Sequence, residues 1–359
     1  MTVHTNYAVS PGSYLKEWLE DEGVTQEVAA KRMGVSRKTI NQIVRGGNVS
    51  PDHANRLGRI TPISADVWMR IQAQYDADRE RLRQESTLGE KVDRISTHVR
   101  KFLKDHGYIK SDARNPGKLS DEFLRFHGVA TWEAFEECSL NPVKSDFALA
   151  FRTETRKVSL EPTALVTWLR ACELAPEMDG LDELAYSEPL LRESLSELRA
   201  RTAHPDSEMI NDLAAILRSS GVVLTAHEAP TAFPLHGVTR WIAGVPVIHQ
   251  TLRQRRDGFI TFTLFHELGH VLNDAPGETH LDDVEAKGKR SNSEKAADAF
   301  AWEVLLPGDA RDRIRGIESD REIRAAAREL GVSPGLLVFQ LQRTQALDRR
   351  YGNNLVVRL

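Results

Sequence analysis

The chain has 359 residues, enough for two or three domains of ordinary size. A hydrophobic fraction of 40% with 28% charged residues excludes a disordered or collagen-like chain, and no apolar run approaches the roughly 18–20 residues of a bilayer span. The formal charge of −4 excludes a uniformly basic nucleic-acid coat but leaves room for a local basic surface.

Met1–Ser10 is polar and lacks the apolar core of a signal peptide, so the cytoplasm is the expected compartment. The fold class expected is α+β, mostly helical. Residues 11–78 read as an all-α domain with aromatic anchors at Trp18 and Trp68. Residues 79–220 read as a helical linker or regulatory region, opening on a charged stretch, Arg79–Glu85, and broken by a turn at Asp112–Gly117. Helices are expected at Glu161–Leu174 and Glu208–Leu217. Cys138 and Cys172 lie far apart and in no Cys-x-x-Cys pair, which argues against a disulfide framework or a thiolate metal site.

The texture changes after Gly221. Val222–Leu224 is a strand candidate, and Thr239–Ile242 with Val245–His249 flank Gly244 as a hairpin. Asp257 is expected to cap a long helix reaching Asn273, residues 274–292 to form a loop, and Ser293 to cap a helix reaching Leu306. Residues 221–310 thus read as a small domain with a short sheet. Residues 311–359 read as a helical appendage, with helices at Glu322–Leu330 and Pro334–Arg343.

Two stretches carry chemistry. The first is Thr25–Val44, TQEVAAKRMGVSRKTINQIV. Gly34 ends one helix, Val35 packs inward and Ser36 caps the next, which is the grammar of a helix-turn-helix. Lys31, Arg32, Arg37, Lys38, Arg45, Arg56 and Arg59 face a single acid, Asp52, between residues 31 and 59. On the second helix Arg37, Lys38, Asn41 and Gln42 are polar, and Arg, Asn and Gln are able to read base edges. Ile40, Ile43 and Val44 are the expected buried positions. The run GVSRKTINQIVRGGNVSPDHANRLGRITPISADVWMRIQAQYD resembles the DNA-binding domain of HigA/XRE-type antitoxin repressors. That resemblance implies operator DNA as a partner and a homodimer formed through this module.

The second stretch is FHELGH at Phe265–His270. On a helix His266 and His270 stand one turn apart on one face, so both imidazoles can share one zinc ion. Glu267 is placed to act on a water there. Phe262, Phe265, Leu268 and Leu272 bury the helix's other faces, and Gly269 is small beside the second histidine. Glu294, at the start of the next helix, is the third ligand candidate. Asp298, four residues on, can accept the remaining N–H of a ligating imidazole. This Glu-x-x-x-Asp pattern resembles the second zinc helix of thermolysin-like gluzincins.

Residues 221–306 resemble the ImmA/IrrE metallopeptidases, in which HELGH is followed by a Glu-initiated helix closing on a Leu-Leu-Pro phrase, here Leu305-Leu306-Pro307. TRWIAGVPVIHQTL, VSPGLLVFQLQR and FRTETRKVSLEPTALVTWLRACELA are similar to the branch fused to an antitoxin-like domain. One departure is Asp298, where many members carry Asn. The resemblance implies a zinc-dependent endopeptidase, one zinc per chain, with Glu267 as general base. It also implies a repressor or antitoxin as substrate, in a stress, mobile-element or toxin–antitoxin circuit. An extended substrate is expected to add to Val245–His249 as an edge strand. His249, His280, Arg240 and His236 are the candidate oxyanion donors. The competing expectation is a non-proteolytic DNA-binding antitoxin or autorepressor whose zincin domain senses a signal or binds a partner. Ala325–Leu337 repeats the helix-Gly-Val-Ser-helix phrase and reads as a packing appendage rather than a second DNA-binding module. The Arg-rich stretch Arg253–Arg256 reads as a solvated loop, with substrate contact as the alternative.

Overall fold

A computed structural model describes residues 7–146, 161–277, 280–282 and 292–359 of the protein. Residues 1–6, the first part of the middle stretch FRTETRKVSL and most of the expected 274–292 loop lie outside the described residues. The described chain is mostly helical with one small sheet, and it separates into two units. One unit runs to Asp93 and includes Lys110–Phe123. The other takes Arg94–Ile109 and the described residues from Leu124 to Leu359. The expected 79–220 region is therefore shared between them, and the 311–359 appendage belongs with the small sheet domain.

The first unit opens with α1 (Pro11–Asp21), α2 (Gln26–Met33), α3 (Arg37–Val44), α4 (Pro51–Ile60) and α5 (Ala65–Gly89). The first four start in the same way. Ser10, Thr25, Ser36 and Ser50 each accept a bond from the backbone N–H three residues on, satisfying a donor the helix itself cannot. Gly34 takes φ 64°, the left-handed turn between α2 and α3 that a Cβ would strain. Leu15, Ile40, Ile43, Leu57 and Trp68 close a core that belongs to these helices alone, while Val44 and Trp18 are half-buried. The charged stretch Arg79–Glu85 continues α5, with Arg81 paired to Glu85 at 2.8 Å and Asp78 at 3.3 Å.

The second unit contains α6 (Thr97–Asp105), and α7 (Pro116–His127) enters it at Leu124. The turn expected over Asp112–Gly117 ends at Asn115, because Pro116 opens α7. There follow α8 (Trp132–Phe135), α9 (Asn141–Asp146), α10 (Pro162–Glu173), α11 (Glu188–Thr202) and α12 (Met209–Arg218). The sheet comprises β1 (Val223–His227), β2 (Gly237–Ile242), β3 (Val245–Thr251) and β4 (His280–Asp282), in the order β1-β3-β2-β4. β3 pairs parallel with β1 and antiparallel with β2, and β4 pairs antiparallel with β2. Two expectations are corrected here. Val245–His249 is a central strand, not an edge, because both of its sides are already hydrogen-bonded and every residue of β3 is buried. His280 lies on β4, within a stretch expected to be loop.

The remaining helices are α13 (Asp257–Asn273), α14 (Asn292–Leu305), α15 (Ala310–Arg313), α16 (Asp320–Leu330) and α17 (Pro334–Arg343). α13 is buried from Asp257 to Leu272, lying between one face of the sheet and α14 and α17. That explains why its hydrophobic pattern runs all round rather than along one stripe. Asp257 is its first residue, not its cap. The buried carboxylate accepts Ser333 Oγ at 2.6 Å and Val357 N–H at 3.0 Å, tying the C-terminal backbone to the start of α13. Likewise Ser293 sits inside α14, which begins at Asn292. α16 and α17 repeat the turn of α2 and α3: Gly331 at φ 64°, then Ser333 as cap. Yet Leu336, Leu337, Val338 and Leu341 are buried in the core around α13. Much of α17 is thus spent on packing and is unavailable to a DNA groove.

Candidate metal centre and nucleic-acid interface

α13 places His266 and His270 one turn apart, with Nε2 atoms 3.2 Å from each other. α14 brings Glu294 to both, Oε2 lying 3.5 Å from His266 Nε2 and Oε1 3.5 Å from His270 Nε2. The helices approach this closely because Gly269 has no side chain; a Cβ there would lie 2.8 Å from Ala297 Cα. Each imidazole is held from behind. His266 Nδ1 bonds Asp298 Oδ1 at 2.9 Å, and His270 Nδ1 bonds Asp274 Oδ2 at 2.6 Å. An ionised carboxylate only accepts, so both protons sit on Nδ1 and both Nε2 lone pairs point inward. Two lone pairs and a carboxylate facing one another call for a cation. The three ligand atoms all fall within 4.8 Å of one another, a set that could hold a metal ion.

The ionisation of these groups shows the same pull on positive charge, met here by protons on the imidazoles that donate to Glu294. Burial alone pushes Glu294 up, but hydrogen bonding from His266 and His270 outweighs it and holds the carboxyl well below the usual range. Burial works against a charged His270 as well, yet the bond to Glu294 and the charge of Glu267 leave it raised.

Glu267 is fully buried on the same helix. Thr239 Oγ1 of β2 donates to its Oε2 at 2.5 Å, whereas Oε1 is buried with no hydrogen-bond partner. Gly237 makes room for it: a Cβ there would stand 2.1 Å from Oε1. Burial raises the carboxyl above its ordinary range, opposed by the nearby His270 and His266.

The four candidate oxyanion donors separate. His280 stacks on His270, ring centroids 4.1 Å apart, with Nε2 3.3 Å from Asp274 Oδ2. Arg240 and His249 are corrected, because they lie on the sheet face opposite α13. Arg240 Nε donates to His249 Nε2 at 3.0 Å, its Nη2 pairs with Glu173 at 2.7 Å, and His249 Nδ1 bonds Thr225 Oγ1 at 2.8 Å. They form a closed network of their own, facing away from Glu267. His236 is buried edge-on against Phe259, and burial lowers it to about 4. In the Arg-rich loop, Arg253 Nη1 donates to Phe233 O at 2.6 Å and Arg255 pairs with Glu228, so both are spent within the fold.

Sequence reasoning missed Asp274, Ser293, Thr239 and Gly237 as parts of this centre. Asp274 stands four residues after His270, the same helical offset that singled out Asp298. Ser293 Oγ donates to Asp274 Oδ2 at 2.7 Å.

On the first unit, α3 exposes Arg37, Lys38 and Gln42, while Asn41 is half-buried and donates to Gln26 Oε1 at 3.3 Å. Arg56 is not a free cation. Its guanidinium pairs with Asp52 at 2.8 Å and donates to Met33 O at 2.9 Å, locking α4 to the end of α2. Among the described residues no helix is long and apolar enough to cross a membrane.

Comparison with known proteins matches residues 15–68 to a helix-turn-helix family and residues 247–342 to the IrrE N-terminal-like domain of the M78 peptidases. Antitoxin HigA-1 of Vibrio cholerae serotype O1 is 35% identical over 69 residues, which cover 19% of this chain and 66% of that protein. A solved structure of Pseudomonas aeruginosa antitoxin HigA with the higBA promoter shares 31% identity over 23% of this chain and 90% of that one, with a TM-score of 0.22. By the two family matches the chain carries two known modules, a helix-turn-helix domain followed by an IrrE-like domain of the M78 peptidase family.

Proposed function

We propose that this protein is a zinc-dependent endopeptidase coupled to a sequence-specific DNA-binding module, acting on a transcriptional repressor or antitoxin. The observation that carries the reading is Glu267, a buried carboxylate with one oxygen held by Thr239 and the other without a partner, beside three converging ligand atoms. Two imidazole nitrogens and one carboxylate suit one zinc per chain with a position left open. When bound, the metal supplies Lewis-acid polarisation of the peptide carbonyl and a more acidic water.

The residues do the rest. Asp298 and Asp274 keep the Nε2 lone pairs of His266 and His270 turned inward. Oε1 of Glu267 takes a proton from the attacking water, for which its raised proton affinity suits it, and then passes that proton to the leaving amine. His280 is the donor candidate that sits against the ligands, and its ring can steady the developing oxyanion. β4, the outer strand beside Thr239, offers the edge to which an extended substrate adds.

On the first unit, Arg37, Lys38, Asn41 and Gln42 reach the major groove. On this reading the module acts as a homodimer on a two-fold operator. The site of action on this reading is the cytoplasm, where operator and repressor meet. The test is Glu267→Gln, which keeps size and hydrogen-bonding shape and touches no ligand. The variant is expected to keep its zinc and DNA affinity and to lose cleavage of repressors encoded nearby by at least about a hundredfold. If it instead restores every response in a deletion strain, the chain is a DNA-binding antitoxin or autorepressor without proteolysis.

A further inference from the structure

Arg343 closes the last turn of α17. Its Nη2 donates to Asp298 Oδ2 at 2.5 Å, while the other oxygen, Oδ1, takes His266 Nδ1 at 2.9 Å. The two bonds run in series from the C-terminal helix to the imidazole. The guanidinium is fixed from a second side as well. It lies 4.3 Å from the centroid of the Phe262 ring and 5.8 Å from that of Trp302. Phe262 stands one turn before His266 on α13, and Trp302 one turn after Asp298 on α14. Phe262 and Trp302, whose ring centroids lie 4.6 Å apart, thus seat the cation together. Arg343 falls one residue beyond the stretch matched to the IrrE-like domain.

We propose that Arg343 is a positioning residue for the metal centre. It holds Asp298 in the one orientation that keeps the His266 Nδ1–H bonded and Nε2 directed at the ion. Two carboxylates, Asp298 and Glu294, approach His266 from different sides. The bond on Oδ2 restrains how Asp298 turns about its own side-chain bonds, and with it the bond that orients His266. The inference rests on His266, His270 and Glu294 being the ligands. It makes residues 334–343 part of the centre, not only a support for α13. Charge alone has the opposite sign: a cation beside a metal ion repels it, so removing Arg343 would then tighten binding.

The experiment measures zinc affinity of the full chain by competition with a chromophoric chelator. It compares wild type, Arg343→Met, Arg343→Lys, Asp298→Asn and the double variant Asp298→Asn with Arg343→Met. Arg343→Met is expected to weaken zinc binding about tenfold, at the lower end of what losing an outer-shell partner of a metal ligand costs. In the Asp298→Asn background the same change should cost less than about twofold, because the residue it holds no longer needs a counter-charge. Unchanged or tighter binding by Arg343→Met overturns the proposal, and so does an equal loss in both backgrounds, which marks simple damage to the helix. If Arg343→Met does not fold, Arg343→Lys carries the comparison. It keeps the charge and the stem but not the fork, and a loss confined to the chain that retains Asp298 is expected. A wild-type chain that holds no zinc overturns the ligand assignment itself, an outcome distinct from either result above.

Discussion

His236 gives a prediction whose sign and size follow from burial alone. The ring is 1% exposed, both nitrogens lack a hydrogen-bond partner, and burial followed by the charge of Arg253 lowers its pKa from 6.5 to about 4. A histidine depressed in the folded state binds its proton more readily when unfolded. Its contribution is therefore fully present above pH 6.5 and is lost as pH falls through the window down to about 4. At pH 5 the unfolded imidazole gains about 2 kcal/mol from protonation that the folded one does not share. His236→Leu removes that term and two unsatisfied polar atoms. At pH 7.5 the variant should be at least as stable as wild type. At pH 5 it should have gained a further ~2 kcal/mol relative to wild type. The assay is urea unfolding followed by circular dichroism, with a chelator in both samples so that ionisation of the metal ligands cancels in the difference. A gap between the two proteins that is the same at pH 7.5 and pH 5 refutes the reasoning, since His236 would then accept its proton while folded. His127, lowered to about 3, and His249, held well below its ordinary value by burial, add to the acid sensitivity of the wild type in the same direction.

Two other outcomes follow from the site geometry. Asp274→Asn keeps a partner for His270 but removes its charge, and zinc retention against a chelator should fall about tenfold; full retention would remove Asp274 from the centre. On the first unit, binding to an upstream palindrome should weaken steeply with salt, and Arg37→Ala or Lys38→Ala should each cost about 1–3 kcal/mol and relax the sequence preference. Arg56→Ala should instead lower the stability of that unit by about 1 kcal/mol and leave the sequence preference unchanged, since its guanidinium is spent on Met33 O.

The local grammar of this chain was legible wherever a helix carries its own signals. α17 runs from Pro334 to Arg343 as its cap and composition require, and α13 ends at Asn273. His266, His270 and Glu294 converge because two fixed helical offsets and one glycine crossing bring them together. What stayed hidden depends on register between elements distant in sequence. Nothing in Val245–His249 announces that β1 pairs along its far side, and nothing in Thr239 or Gly237 announces that β2 passes across Glu267. The Gly-Val-Ser phrase makes the point most directly, since it occurs twice with the same backbone turn, φ 64° at both Gly34 and Gly331. Turn chemistry cannot tell the two apart. The following helix can: Arg37-Lys38 opens α3 with exposed charge, whereas Gly335-Leu336-Leu337-Val338 opens α17 with side chains that only a core can take. Arg343, at the far end of that buried helix, then stands over Asp298, so the same burial that denies α17 a DNA groove brings its last residue to the carboxylate behind His266.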